Sequence, residues 1–318
     1  DEFPVVENAN IGGSTAADRN VLSGSNVGVG ITTDNGTSTG NQIRGNYIGT
    51  NAAGTAAVGN FSQGVWLNAA NNVVGGTAAG EGNVISGTTS WVGIQLEAPA
   101  SGTLIAGNYV GTNAAGSAAL GNVGGGVYIA SANNTIGGVT ATARNVVSGN
   151  GAHGIWLVGT GATGNVVIGN YVGTDASGTL DLDGSTATSG HSGISVMSGA
   201  SGNRIGTDAD GNNDVAERNV ISGNNWFGVD IVNSGTSNNL VQGNYIGVDK
   251  TGLVALGNAQ GGVSLWDGAS ANRVGSGIAN AGNVISGNAL GVQIANGAAG
   301  NKVQGNIIGL GADGSTLV

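Results

Sequence analysis

One ten-residue phrase recurs through the chain at nearly constant spacing. Gly-Asn-Tyr-Ile-Gly-Thr-Asn-Ala-Ala-Gly begins at Gly45 and returns with small changes at Gly107, Gly169, Gly243 and Gly305, in steps of 62, 62, 74 and 62 residues. A second phrase, of the type Asn-Val-Ile-Ser-Gly, runs in phase with the first. Self-similarity at a fixed period is typical of a solenoid, in which each repeat packs on its neighbours. The chain is therefore predicted to be an array of one unit.

Each repeat unit contains the short pattern Gly-Val-x-Ile twice, which halves the period to about 31 residues. Each occurrence is followed by Asn-x-Ile or Asn-x-Val, and then by a third run such as Asn-Tyr-Ile. Short β-branched runs bounded by Gly and Asn indicate strands, whereas no window shows the 3.6-residue apolar period of a helix. We predict an all-β solenoid of about nine to ten coils, with three short strands per coil and parallel pairing at about 4.8 Å.

Composition limits the alternatives. The 318 residues include Gly 65 and Pro 2 with 39% hydrophobic residues, which fits neither collagen nor a disordered linker. The 18 acidic residues outnumber the 8 basic ones, so nucleic acid is not an expected partner. No apolar run is long enough to predict a membrane span, and the absence of Cys excludes disulfides and thiolate metal sites. Because solenoids grow by adding repeats, we expect a single domain over residues 1–318.

Asparagines recur at one position of successive coils. If they stack at one corner, their amides form a ladder of hydrogen bonds along the axis. The predicted members are Asn46, Asn83, Asn108, Asn145, Asn170, Asn219, Asn244, Asn283 and Asn306.

The motifs Gly-Val-x-Ile and Asn-x-Ile-x-Gly-Asn, at this spacing, resemble the right-handed parallel β-helix repeats of the pectate-lyase-like superfamily. The resemblance covers essentially the whole chain and implies the fold more than an activity, since that superfamily includes lyases, hydrolases, epimerases, phage tailspikes and non-catalytic surface proteins. The variety Tyr-Ile-Gly-Thr-Asn/Asp-Ala-x-Gly-Thr looks most like repeats of bacterial secreted or cell-surface proteins of adhesin type. The resemblance therefore implies a secreted or bacterial cell-surface location.

Both termini fall inside the repeat, without a capping helix. Uncapped solenoid ends leave strand edges open to another chain. We expect a segment of a longer protein or assembly, with flanking domains or an end-to-end stacking partner. A fragment cut at these positions is the alternative.

Outward side chains of the Gly-Val-x-Ile strands include a series of large apolar residues. Tyr128, Trp156, Met197 and Trp266 are predicted to form a platform for sugar rings or for another surface protein. A platform that packs beneath the long loops is the alternative. In the enzymes that this chain resembles, a saccharide lies along the corresponding face.

The 74-residue step breaks the repeat and carries the candidate catalytic groups. One enlarged loop contains Asp181, Asp183 and His191, and His153 precedes the adjacent strand, so the two imidazoles are expected to approach each other. Two His with two Asp could bind a metal or act as acid and base, with Asp230 nearby on the outer face. Solvated loop side chains are the alternative.

The second enlarged loop reads Asp208-Ala-Asp-Gly-Asn-Asn-Asp214. Its spacing is similar to part of a calcium loop, in which hard oxygen ligands converge around a glycine turn. Asp208, Asp210 and Asp214 are therefore candidate calcium ligands. The first ligand position of the full motif falls on Gly206, which departs from the pattern, and an ordinary polar loop is the alternative.

The sequence favours a non-catalytic, extracellular structural or adhesive module that spaces or presents a binding surface. A polysaccharide lyase or epimerase that uses His153 and His191 is the second interpretation. Ice binding ranks last, because the threonines Thr50, Thr112 and Thr174 recur only on every second coil.

Overall fold

A computed structural model describes residues 7–33, 37–182 and 190–318. These residues contain no helix and form strands in three all-parallel sheets. Each strand pairs with strands one coil away, and the chain visits the three sheets in turn. The architecture is therefore a parallel β-helix with three strands per coil, as predicted from the sequence. Its right-handed winding stays a prediction.

Each sheet is built from one of the three sequence patterns. Sheet A, from the Asn-x-Ile runs, contains β1 Asn10–Gly12, β4 Gln42–Arg44, β7 Val73–Gly75, β10 Leu104–Ala106, β13 Thr135–Gly137, β16 Val166–Ile168, β19 Arg204–Gly206, β22 Leu240–Gln242, β25 Arg273–Val274 and β28 Lys302–Val303. Sheet B, from the Asn-Tyr-Ile and Asn-Val-Ile runs, contains β2 Val21–Leu22, β5 Tyr47–Ile48, β8 Val84–Ile85, β11 Tyr109–Val110, β14 Val146–Val147, β17 Tyr171–Val172, β20 Val220–Ile221, β23 Tyr245–Ile246, β26 Val284–Ile285 and β29 Ile307–Ile308. Sheet C, from the Gly-Val-x-Ile runs, contains β3 Val29–Ile31, β6 Val65–Leu67, β9 Ile94–Leu96, β12 Val127–Ile129, β15 Ile155–Val158, β18 Ile194–Met197, β21 Phe227–Val232, β24 Gly261–Trp266 and β27 Val292–Ile294.

The core is a set of aliphatic columns that run along the helix axis. Alternation along each strand sends every second side chain inward, and the parallel register places equivalent side chains above one another. In sheet A, for example, Val74 pairs with Ile43 on one side and Ile105 on the other, and all three are fully buried. The inward residues of sheets B and C close the same dry interior.

Asparagine side chains hold the corners between the strands. The predicted ladder exists: the Asn83 Nδ2 donates to the Asn108 Oδ1 at 2.9 Å, and the Asn108 Nδ2 donates to the Asn145 Oδ1 at 3.0 Å. Two further ladders precede sheets A and C. Their interacting side chains include Asn134, Asn165, Asn203, Asn239 and Asn272 before sheet A, and Asn122, Asn150, Asn224, Asn258 and Asn288 before sheet C.

A close approach between neighbouring coils explains why the two sequence phrases run in phase. The loop after the Tyr-Ile strand folds back, so that Thr50 bridges to Ala57. Ala57 then lies against Gly87, the glycine of an Asn-Val-Ile-Ser-Gly phrase, where an added Cβ would come within 2.8 Å of the Ala57 Cβ. Gly87 also has a φ of 77°, which favours glycine. The repeat therefore needs glycine there in every second coil.

Arginine and tyrosine link the alternate pairs of coils, in which an Asn-Val-Ile-type strand precedes a Tyr-Ile-type strand. The Arg144 guanidinium lies 4.1 Å from the centre of the Tyr171 ring, and its Nε donates to the Gly169 carbonyl at 3.0 Å. Arg19 on Tyr47 and Arg218 on Tyr245 repeat this arrangement. Cation–π contact and a backbone hydrogen bond thus occupy these arginines on sheet B.

Replacing a ladder asparagine should destabilise the fold. The buried Asn145 makes four side-chain hydrogen bonds, to both the amide and the backbone nitrogen of Asn108, to the Ile105 carbonyl and to the Asn170 amide. Since Asn145→Ala leaves several buried groups unpaired, we expect a loss of about 3 kcal/mol or more. Thermal and urea unfolding would measure it. The exposed Gln260 gives a control, because Gln260→Ala should change stability by less than about 0.5 kcal/mol. Equal stability of the two variants would contradict the ladder's role.

Candidate functional site: the outer face of sheet C

Outward side chains of sheet C form two columns in strict register. The first column runs Trp66, Gln95, Tyr128, Trp156, Ser195, Asp230, Ser264 and Gln293, with each residue paired to the next across adjacent strands. The second column includes Val158, Met197, Val232 and Trp266. The strands of this sheet carry no Lys or Arg. The face is therefore aromatic and acidic, without cationic side chains of its own.

Three aromatic rings make contact on this face. Trp91, from the turn before β9, lies 6.0 Å from Tyr128 and 6.1 Å from Trp156, centre to centre, and the last two rings are 5.8 Å apart. All three side chains are half-buried, so each keeps part of its ring accessible. Together with Trp66, Gln95 and Glu97 we call this group the aromatic strip.

Four members of the aromatic strip share one hydrogen-bond network: Trp66, Trp91, Gln95 and Glu97. The Glu97 carboxylate accepts from the Trp66 Nε1 at 3.1 Å and from the Gln95 Nε2 at 2.7 Å. The Gln95 Oε1 in turn accepts from the Trp91 Nε1 at 2.9 Å. Burial, followed by the nearby Glu97 carboxylate, raises the pKa of Tyr128. The network fixes the orientation of the Trp66 and Trp91 rings, and the raised pKa keeps Tyr128 an uncharged hydrogen-bond donor at neutral pH.

The two histidines meet beside the aromatic strip. Their ring centres are 5.5 Å apart, and His153 also packs edge-on to Trp156 at 5.0 Å. The His153 Nδ1 accepts a hydrogen bond of 2.8 Å from the Ser192 backbone nitrogen. Burial, then the charge of His191, lowers the pKa of His153 to about 4, and burial lowers that of His191 as well. His153 is therefore neutral at pH 7, with its proton on Nε2.

A cavity of about 250 Å³ lies farther along the face. We call it the Trp226–Trp266 cavity. Its lining comprises His153, Gly190, Met197, Trp226, Asp230, Val232, Asn233, Ser264 and Trp266. Met197 and Trp266 thus belong to a recess, whereas Tyr128 and Trp156 belong to the aromatic strip. The four residues predicted as one platform fall into two neighbouring patches joined by the second column.

Asp230 is the acidic residue that lines this cavity. It stands between Ser195 and Ser264 on adjacent strands. Burial is the main cause that raises the pKa of Asp230 to about 6; the Ser264 hydroxyl opposes the shift, and the exposed Asp267 carboxylate adds to it. A carboxyl in this environment titrates close to physiological pH.

The remaining candidate catalytic residues are Asp181 and Asp183. Asp181 bridges to Thr174 in the loop after β17, and its carboxylate lies against Gly223. Asp183 falls outside the described residues. Within the ranges described, the structure brings together His153, His191 and the Asp230 cavity.

The acidic loop brings its three carboxylates close together. One oxygen from each of Asp208, Asp210 and Asp214 lies within 4.8 Å of the others. The chain already supplies donors to them: the Asp214 Oδ1 accepts from the Thr207 hydroxyl at 3.0 Å, and Arg204 lies 3.7 Å from Asp208. Hydrogen bonds from Asn212 lower the pKa of the exposed Asp210. Carboxylate oxygens are the type of ligand that calcium prefers. Some of the hydrogen-bond acceptor sites on these oxygens are already filled by protein donors.

Sequence reasoning missed Trp91 and Trp226 as site residues. Both lie two positions before the glycine that opens a sheet C run, in Trp91-Val-Gly and Trp226-Phe-Gly, and His191 occupies the same position in its own coil. Alignment of the nine runs on their glycines would have exposed this third column. Strand alternation alone could not, because these residues lie in the turn before the strand.

Comparison of the chain with protein-family models, with curated proteins and with solved structures finds no match in any of the three. The described part of the chain contains no helix that is long and apolar enough to cross a membrane.

Removal of the Asp230 charge should change how stability depends on pH. Because folding raises the pKa of Asp230 from 3.8 to about 6, the wild type binds the Asp230 proton more tightly when folded and loses stability as pH rises through that interval. Asp230→Asn lacks this loss, so its stability relative to wild type should increase by up to about 3 kcal/mol between pH 4 and pH 7. Unfolding midpoints of both proteins across this range would test it. Parallel pH profiles would contradict the shifted pKa.

Proposed function

We propose that the chain is a non-catalytic, extracellular β-solenoid module that binds a polysaccharide along the outer face of sheet C. The observation that carries the proposal is the aromatic strip, with its half-buried rings and its fixed amide and carboxylate groups. The repeat pattern's resemblance to secreted and cell-surface bacterial β-helix proteins supports the location. Other surface proteins are the alternative partners.

Chemistry of the strip suits a carbohydrate. Sugar rings present apolar C–H faces that stack on Trp and Tyr, and their hydroxyls need donors and acceptors at the ring edges. Trp91, Tyr128 and Trp156 supply the stacking surfaces, while the half-buried Glu97 carboxylate supplies an acceptor beside them. The rigid coil-on-coil frame means that little ordering is needed on binding.

Loss of a strip ring should weaken polysaccharide binding. Trp156→Ala removes a stacking surface, which corresponds to roughly a tenfold or larger loss of affinity. Affinity electrophoresis in gels containing neutral or acidic polysaccharides would measure it. Phe61 is a matched control, since its ring is 62% exposed but lies outside the strip. Equal retardation of the wild type, Trp156→Ala and Phe61→Ala would contradict the proposal.

A polysaccharide lyase or epimerase is the second candidate, favoured by the contact of His153 with His191 beside the aromatic strip. The base at pH 7 would be the neutral His191 imidazole, because the Nδ1 of His153 already accepts from the Ser192 nitrogen and its Nε2 carries the proton. Incubation with acidic and neutral polysaccharides, followed by assays for unsaturated ends, reducing ends and altered uronate stereochemistry, distinguishes the two functions. Turnover that His191→Ala abolishes would replace the non-catalytic proposal.

Calcium is the proposed ion of the acidic loop, and its role would be to stiffen residues 207–217. Since a cation would relieve the repulsion among three carboxylates, we expect millimolar Ca²⁺ to raise the unfolding midpoint by a few degrees. Asp210→Asn should remove this shift, whereas Asp313→Asn, in the loop between Leu310 and Leu317, should retain it. Calorimetric scans with and without Ca²⁺ would decide, and an unchanged wild-type midpoint would exclude the ion.

A further inference from the structure

The Trp226–Trp266 cavity differs from the aromatic strip in shape. Its volume of about 250 Å³ is below the range of drug-sized pockets, so it has room for one ring and not for several. Trp226, Trp266, Met197 and Val232 give it aromatic and aliphatic walls, and Asp230, Ser264 and Asn233 place polar groups among them. An apolar wall with a few convergent polar groups is the usual construction of a small-molecule pocket.

The charge of the lining restricts what could occupy the cavity. No Lys or Arg is among the residues that line it, Asp230 supplies negative charge, and the Asp267 carboxylate outside the lining adds to the negative potential at Asp230. His153 and His191 stay neutral near pH 7, because burial lowers both pKa values. A uronate or other acidic sugar would therefore bring its carboxylate toward a like charge without a counterion, and the chain as a whole carries a net charge of -10.

We infer that the Trp226–Trp266 cavity is a subsite for one uncharged sugar residue, with the Asp230 carboxylate accepting its hydroxyl hydrogen bonds, and that acidic sugars are excluded from it. This inference rests on the proposed function and names its substrate class. The sugar ring in the cavity would belong to a polysaccharide that also lies on the aromatic strip and extends from it along the second column of sheet C.

Binding of this kind should strengthen as pH rises. Sugar hydroxyls donate to the ionised carboxylate, so the ligand favours the deprotonated form of Asp230 and lowers its pKa on binding. The affinity should then increase between pH 4.5 and pH 7.5, as Asp230 loses its proton near pH 6. His153 is the other titratable residue of the lining, with His191 in contact with it and Asp267 close enough to raise the pKa of Asp230. The cross-strand neighbours Ser195 and Ser264 carry no charge. An acidic sugar would show the opposite pH dependence.

The test uses isothermal titration of the full chain with four probes: maltohexaose, cellohexaose and mannohexaose as neutral chains, and hexagalacturonate as the acidic one. We expect at least one neutral probe to bind, hexagalacturonate to bind at least tenfold more weakly, and the neutral affinity to rise at least about threefold from pH 4.5 to pH 7.5. Trp266→Ala should reduce the neutral affinity about tenfold. Asp230→Asn, which keeps the shape, should remove the pH dependence.

The outcomes separate the inference from the proposed function. If a probe binds and Trp156→Ala weakens it while Trp266→Ala and Asp230→Asn do not, the strip binds sugar and the cavity inference is wrong. Preference for hexagalacturonate would also overturn the inference and leave the proposed function standing. Binding of none of the four probes would remove both. Circular dichroism of each variant confirms that a lost affinity does not come from unfolding.

Discussion

Side-chain amides at the corners hold successive coils in register, and the rest of the molecule depends on them. At a corner the backbone turns away from the sheet, so its N–H and C=O groups lose their ladder partners. An asparagine supplies one acceptor and two donors at that point: the Asn108 Oδ1 accepts from the Asn83 nitrogen, and its Nδ2 donates to the Val74 carbonyl. Each buried amide thereby satisfies the backbone of one coil and fixes the position of the next.

This constraint also explains the two-coil repeat. The loop after a Tyr-Ile strand packs against the next coil along the chain. For the loop that contains Ala57, this contact is possible because Gly87 carries no Cβ. Ser86, one residue earlier, donates to the Thr112 carbonyl at the start of the following loop. The glycine of the Asn-Val-Ile-Ser-Gly phrase therefore packs against the loop of one neighbouring coil, and the serine donates a hydrogen bond to the loop of the other. The period of 62 residues reflects this alternation of a coil with a loop and a coil that receives it.

The fold could be predicted from sequence because its determinants are local and repeated. Inward Val and Ile, corner Asn and turning Gly occupy fixed positions in each coil, so strand number, parallel pairing and the first ladder all followed from spacing. The outward columns followed too, since alternation along a strand is fixed. The spacing could not predict which side chains from the turns would cover the outer face of sheet C. Trp91 and Trp226 project from turns, and the raised pKa of Asp230 depends on walls contributed by several coils.

Two carboxylates on the outer face of sheet C, Glu97 and Asp230, have different surroundings. Glu97 accepts hydrogen bonds from Trp66 and Gln95, whereas burial raises the pKa of Asp230 to about 6. The frame beneath them is the same, since both stand on sheet C strands or directly after one. The 74-residue step contributes Gly190 and Trp226 to the cavity around Asp230. Insertions into a regular solenoid thus change the chemistry of its surface while the ladders keep the core unchanged.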